Sequence, residues 1–221
     1  MVGNRRYDAD MRDYNSESVA TFDKNAARYA EKYFSLRDYD SYYQSLMAEI
    51  PTGPFRFLDL ACGPGNVSAY VLNQRPEAEI LCVDQAPLML EEARRRMTGV
   101  EVLLADCRDL GAVAVQFHAA AFFFGLSYFD DADAGKVLAE LFRVMSPGAP
   151  LLLATVAGDP DRSGLQVSAA GDRVFNFFRR RAEIEGLVQQ AGFTLVQSGT
   201  IPSPANASLQ SEDVVILARR K

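Results

Sequence analysis

The chain has 221 residues, 48% hydrophobic and 24% charged, a balance that suits one well-packed globular domain. A net charge of -6 and a pI near 4.9 argue against broad binding to nucleic-acid phosphates. Three cysteines without a CxxC pair argue against a disulfide framework or a structural zinc site, and a single histidine, His118, excludes a histidine-rich metal centre.

The N-terminal stretch MVGNRRYDADMRDYNSES is polar and lacks the apolar run of a secretory signal. No run reaches membrane-spanning length, so a cytoplasmic location is expected. From Ser16 to Phe34, the residues Val19, Phe22, Ala26, Tyr29, Ala30 and Tyr33 recur at helical spacing. A second helix is predicted over YDSYYQSLMAEI, stopping at Pro51, and PTGP punctuates. Short apolar runs then alternate with amphipathic stretches. The runs are FRFLDLA (55–61), EILCVD (79–84), VEVLLAD (100–106), FHAAAFFF (117–124) and PLLLATV (150–156). NVSAYVLNQR, PLMLEEARRRM and DADAGKVLAELFRVM between them read as helices. This alternation predicts a doubly wound α/β sheet, its strands covered on both faces. After Val156 comes a turn-rich segment, AGDPDRSGLQVSAAGD, then a helix over RRRAEIEGLVQQA. GFTLVQSG and EDVVILARR close the chain as an antiparallel hairpin at one sheet edge.

The first run leads straight into a loop with Gly63, Pro64 and Gly65. In an open α/β sheet, ligands bind at the carboxyl ends of the strands, and glycines there let backbone approach a ligand. The third glycine of a GxGxxG dinucleotide fingerprint is replaced by Ser68, and the acidic Asp59 precedes the loop. A carboxylate there attracts an ammonium and repels a phosphate. Asp84 and Asp106 end the next two runs. Asp84 is placed to accept from both hydroxyls of a ribose, and Asp106 from an exocyclic adenine amine.

Over most of its length, from about Phe22 onward, the sequence resembles the class I S-adenosylmethionine-dependent methyltransferases of small-molecule type. LDLACGPGN resembles their first motif, VDQAPLML the second acidic site and LLADCRDL the third. LFRVMSPGAPLLLAT is similar to the segment through strand five, and VFNFFRRRAEIEGLVQQAGFTLV to the C-terminal helix and strand. The resemblance implies a Rossmann-like seven-stranded sheet of order 3-2-1-4-5-7-6, strand seven antiparallel. It implies S-adenosylmethionine as cofactor, S-adenosylhomocysteine as product, and cofactor contacts from Tyr29, Asp59, Ala61, Gly63, Gly65, Asp84, Gln85, Met89, Asp106, Cys107, Phe123 and Phe124. Gly125 and Leu126 are further candidates for the floor of the site. Two features depart from the family. The fourth strand opens Phe117-His118 rather than Phe-Asp, and FFFGLSYFDD stands where some members carry an NPPY-type tetrapeptide.

No catalytic base or metal ligand set is legible. His118, at the start of a strand, reads as structural, and Cys62 as a small loop residue. The run Arg179-Arg180-Arg181 reads as the solvated first turn of a helix. Tyr128, Phe129, Phe175, Phe177 and Phe178 line an acceptor pocket or belong to the core. The expected acceptor is a planar or hydrophobic small molecule, not nucleic acid or a membrane, with the chain acting as a monomer or homodimer. Two alternatives stay open: a non-catalytic adenosyl-ligand-binding protein and a nicotinamide-dependent oxidoreductase. A single domain is expected over 1–221, with 51–221 the cofactor-binding core and 1–50 a helical lid segment. Residues Ser16 to Ile50 form that lid, with Tyr29 and Tyr33 nearest the ligand. The whole segment before Pro51 carries six tyrosines from Tyr7 to Tyr42.

Overall fold

The computed structural model describes residues 14–168, 170–205, 207 and 211–221; Tyr7 lies outside them. Three helices come first: α1 (Tyr14–Lys24), α2 (Ala26–Tyr33) and α3 (Asp40–Glu49). The alternating part follows as β1 (Arg56–Leu60), α4 (Asn66–Gln74), β2 (Glu79–Asp84), α5 (Pro87–Arg96), β3 (Glu101–Leu104), β4 (Ala119–Phe123), α6 (Asp131–Val144) and β5 (Pro150–Ala157). The chain ends with β6 (Gly164–Val167), β7 (Arg173–Asn176), α7 (Arg181–Gln190), β8 (Phe193–Pro202) and β9 (Glu212–Arg220). No described helix is long and apolar enough to cross a membrane.

Seven strands form one sheet in the order β3-β2-β1-β4-β5-β9-β8. The first five are parallel, and β9 runs antiparallel to both β5 and β8. With the separate β6–β7 hairpin set aside, this is the expected order 3-2-1-4-5-7-6. Successive side chains of a strand face opposite sides, which sorts the core into two layers. Leu58, Leu60, Phe122 and Leu153 face α6 and α7 with Leu138, Leu141 and Ile184. Phe57, Ala121 and Leu152 face the other layer with Leu46, Val67, Val71 and Leu90 from α3, α4 and α5. Each large side chain buried this way stabilises the fold by roughly 1.5–3 kcal/mol.

The structure departs from the sequence reading in four places. The helical stripe from Ser16 to Phe34 is two helices, because Asn25 leaves the helical region and its amide donates to the Thr21 carbonyl. The turn-rich segment after Val156 contains the β6–β7 hairpin. On the edge of β7 away from β6, the Phe175 N–H donates to Ser18 Oγ at 3.0 Å, and Thr21 Oγ1 donates to the Arg173 carbonyl at 2.7 Å. Side chains of α1 thereby satisfy a strand edge that would otherwise need water. Arg179 is not solvated: it is 5% exposed, and its guanidinium donates to Asp131 and to the carbonyls of Phe129, Phe177 and Leu126. Finally, α3 is not part of a cover. It packs on the sheet, where Tyr39 donates to the buried Asp213 carboxylate at 2.6 Å.

Candidate active site

A cavity with about 660 Å³ of empty space, part of it open to solvent, sits at the carboxyl ends of β1, β2, β3 and β4. Its floor is built by the loops that leave those strands. Ala61 (φ 52°) and Gly63 (φ 53°) turn the chain out of β1 in left-handed conformations. Phe124, with φ 63°, does the same after β4 and is followed by Gly125. A Cβ on Gly125 would collide with the Phe122 ring and come within 3.0 Å of the Ala61 Cβ. Two non-glycine residues in the left-handed region, both on one cavity wall, mark a site where surrounding structure holds the backbone in place.

Nine of the twelve expected cofactor contacts border this cavity. They are Tyr29, Ala61, Gly63, Asp84, Gln85, Met89, Cys107, Phe123 and Phe124. Asp84 is the acid among them. Its Oδ2 accepts the Gly63 N–H at 2.9 Å and its Oδ1 accepts the Ala86 N–H at 2.9 Å. Burial raises its pKa, and these N–H donors pull it back down.

Asp59, Gly65 and Asp106 are not on the wall. Asp59 shares the strand face of Phe57 and points toward α4, where Ser68 Oγ and N–H donate to it at 2.6 and 3.1 Å. It is 1% exposed, and burial raises its pKa to about 7. The carboxylate that the sequence reading set toward an ammonium forms an internal tie between β1 and α4. Gly65, with φ 87°, caps α4, and a Cβ there would collide with the Met97 side chain. Asp106 is turned onto Arg108, whose Nε and Nη2 donate to it at 2.9 and 2.6 Å. Arg108 also donates to Asp133 at 2.8 Å, and Asp133 accepts the Tyr14 hydroxyl of α1 at 2.7 Å.

The cover of the cavity is α1 with Tyr29 of α2. Asn15, Ser18, Val19 and Phe22 of α1 face inward at spacings of three and four. The sequence reading found Val19 and Phe22 only as part of an apolar stripe and missed the two polar residues. Their signal was present, since Asn15 and Ser18 stand four residues before Val19 and Phe22, on the face of that stripe. Tyr33 does not reach the wall; its ring packs on Tyr29 at 4.6 Å between centroids. Phe22 packs edge-on against Tyr128 at 4.9 Å and against Tyr29 at 5.9 Å. Tyr128 and Phe129 border the cavity, whereas Phe175, Phe177 and Phe178 are buried away from it.

His118 is structural: its Nδ1 accepts the Arg56 N–H at 3.0 Å, at the opposite ends of the strands. The Cys62, Cys82 and Cys107 thiols are all buried, and burial raises Cys62 and Cys107.

Against known proteins, residues 57–148 match the family described as "Methyltransferase domain". This matched stretch, less than half of the chain, is similar to a methyltransferase domain. Beyond the matched residues, β9 and β8 complete the sheet order that the resemblance implies. It is 40% identical over 104 residues to a demethylmenaquinone methyltransferase of Thermus thermophilus, spanning 45% of this chain and 46% of that protein. It is 47% identical over 66 residues to a trans-aconitate 2-methyltransferase of Methylobacterium nodulans, spanning 29% and 26%. The chain thus aligns with half or less of the length of these relatives. Among solved structures it superposes on the Burkholderia thailandensis 1,6-didemethyltoxoflavin-N1-methyltransferase with a TM-score of 0.70. That match has 19% identity and covers 100% of this chain and 98% of that one. The Burkholderia protein was crystallised with 1,6-didemethyltoxoflavin and S-adenosylhomocysteine bound.

Proposed function

We propose that this chain binds S-adenosylmethionine in the cavity and transfers its methyl group to a planar, largely apolar small-molecule acceptor. The Asp84 carboxylate carries the reading. Its oxygens accept the Gly63 and Ala86 N–H groups at the edge of the cavity, and a carboxylate has further lone pairs that suit the two neighbouring hydroxyls of a ribose. Gly63, lacking a Cβ, leaves room beside it, and the aromatic side chains of Phe123, Phe124 and Tyr29 line the same cavity, a setting that suits a cation.

When bound, the sulfonium supplies an already activated methyl carbon. The chain's own task is then placement and the exclusion of water. Burial raises the pKa of Tyr29, Tyr128 and the Cys107 thiol, so none of these wall groups is a ready base at neutral pH. The acceptor atom accordingly enters as a nucleophile in its own right. In this reading α1 and Tyr29 act as a lid that admits the acceptor and closes over it. The nine wall residues form the cofactor site, with Asp59 and Gly65 supporting the loop from behind.

Two experiments test the proposal. Calorimetry should give tight binding of S-adenosylhomocysteine and far weaker binding of NAD. Mass spectrometry of a metabolite extract incubated with protein and S-adenosylmethionine should show products heavier by one methylene. Tighter binding of NAD would overturn the reading, and cofactor binding without any methylated product would leave a binding protein in its place.

A further inference from the structure

Ser18 sits in the middle of α1, is 1% exposed and borders the cavity. A serine hydroxyl has one proton to donate and two lone pairs that accept. One lone pair of Ser18 takes the Phe175 N–H at 3.0 Å. Helical serines commonly donate to the carbonyl four residues back. Here no described residue accepts the Ser18 proton, because its one hydrogen bond is the one it receives from β7. A donor that is buried and unmatched carries a desolvation cost, which a ligand with an acceptor atom would remove. With β7 occupying one side of the hydroxyl, the cavity is where that ligand lies.

The surroundings define the ligand's body. One turn along α1, Phe22 stands between Tyr128 and Tyr29. Next to Ser18, Asn15 is held by its bond to Gln85 at 2.5 Å. The α1 wall therefore offers a ring-lined slot with a neutral donor at its edge.

We infer that Ser18 is an acceptor-recognition residue, donating a hydrogen bond to a carbonyl oxygen of a flat aromatic acceptor whose nucleophile is an ionised enol in the same conjugated system. This rests on the methyltransferase reading above. Conjugation spreads the enolate charge onto the carbonyl, so the Ser18 bond is charge-assisted. Binding the remote oxygen rather than the attacking atom holds the ring in place and leaves the lone pair of the attacking atom unoccupied. In the transfer step, an electron pair of the enolate forms the bond to the methyl carbon, the carbon–sulfur pair returns to sulfur, and no proton moves. That balance agrees with a wall without a ready base.

The test uses 4-hydroxycoumarin, a planar vinylogous acid with a carbonyl, and 1-naphthol, a flat phenol without one. Each is titrated into the S-adenosylhomocysteine complex of the full chain, as wild type, Ser18→Ala, Ser18→Thr and Thr21→Val. Wild type should bind 4-hydroxycoumarin, and Ser18→Ala should weaken it by about tenfold or more, the scale of a charge-assisted bond. Ser18→Thr, which keeps the hydroxyl, should restore it. Binding of 1-naphthol and of S-adenosylhomocysteine should change by less than about threefold in every Ser18 variant. With 4-hydroxycoumarin as methyl acceptor, KM should rise in Ser18→Ala while kcat is held. Thr21→Val disturbs the same hairpin without removing the Ser18 donor. An equal loss there would assign the effect to seating of α1 and overturn the proposal. So would unchanged 4-hydroxycoumarin affinity in Ser18→Ala, or a wild-type complex that does not bind 4-hydroxycoumarin. Failure of wild type to bind S-adenosylhomocysteine would instead bring down the methyltransferase reading itself.

Discussion

Thr21 and Arg173 hold each other through two hydrogen bonds: the Thr21 hydroxyl donates to the Arg173 carbonyl at 2.7 Å and accepts its N–H at 3.3 Å. One residue before Arg173, Asp172 accepts from Lys24 at 3.1 Å, Asn25 at 3.2 Å and Arg28 at 3.3 Å. The hairpin is thus strapped to the cover of the cavity. Thr21→Val keeps the shape of the side chain and removes both bonds, at a cost of about 0.5–1.5 kcal/mol. Hydrogen exchange across 14–24 should quicken while exchange in β1 stays the same. Equal exchange in both proteins would mean that the hairpin does not seat α1.

Asp84 gives the most direct test of the cofactor site. Asp84→Ala should weaken S-adenosylhomocysteine by roughly 1.5–3 kcal/mol, the scale of hydrogen bonds to a charged acceptor. Calorimetry with the fold verified by circular dichroism measures this. An unchanged dissociation constant would remove Asp84 from the site.

Asp59 predicts a pH dependence with a definite sign. Its pKa is 3.8 ordinarily and about 7 in the fold, so the folded state holds the proton more tightly. This contribution to stability is present below pH ~4 and is lost as pH rises toward ~7, by on the order of 2–4 kcal/mol. Asp59→Asn supplies a permanently neutral side chain that still accepts from Ser68. The variant should therefore gain on wild type between pH 5 and pH 8, as read by urea unfolding. A difference that is equal at both pH values would refute the shift.

Arg179 and Arg180 are neighbours with opposite predicted costs. Arg179→Ala leaves three backbone carbonyls without their buried donor and should destabilise by about 2–4 kcal/mol. Arg180 is exposed, with ion pairs to Asp159 and Glu183, and Arg180→Ala should change stability by about 0.5 kcal/mol or less. Thermal unfolding of both variants decides this, and similar melting temperatures would contradict it.

The sheet was readable because its strands are apolar on both faces and are punctuated by loops, so PLLLATV and EILCVD name β5 and β2 almost to the residue. Other features depended on information that motifs do not carry. Strand parity sends Asp59 with Phe57 toward α4, away from the open end. Asp106 has Arg108 two residues on, and that local pairing turns its carboxylate from the cavity. The hairpin strands GLQV and RVFN are four residues each, too short to declare a period. The polar cover residues were hidden by a stripe read only for its apolar members.

The bonds from Ser18 and Thr21 to β7 also bear on how this scaffold can be altered. The hairpin's outer backbone groups find their partners on α1, and the hydroxyl facing the cavity is fixed by the hairpin. A graft that replaced residues 164–176 alone would leave α1 hydroxyls facing a strand edge of a different register. One that replaced 14–24 alone would strip that edge of its partners. Reshaping the wall of the cavity therefore calls for exchanging the two segments as a matched pair, although about 140 residues separate them along the chain.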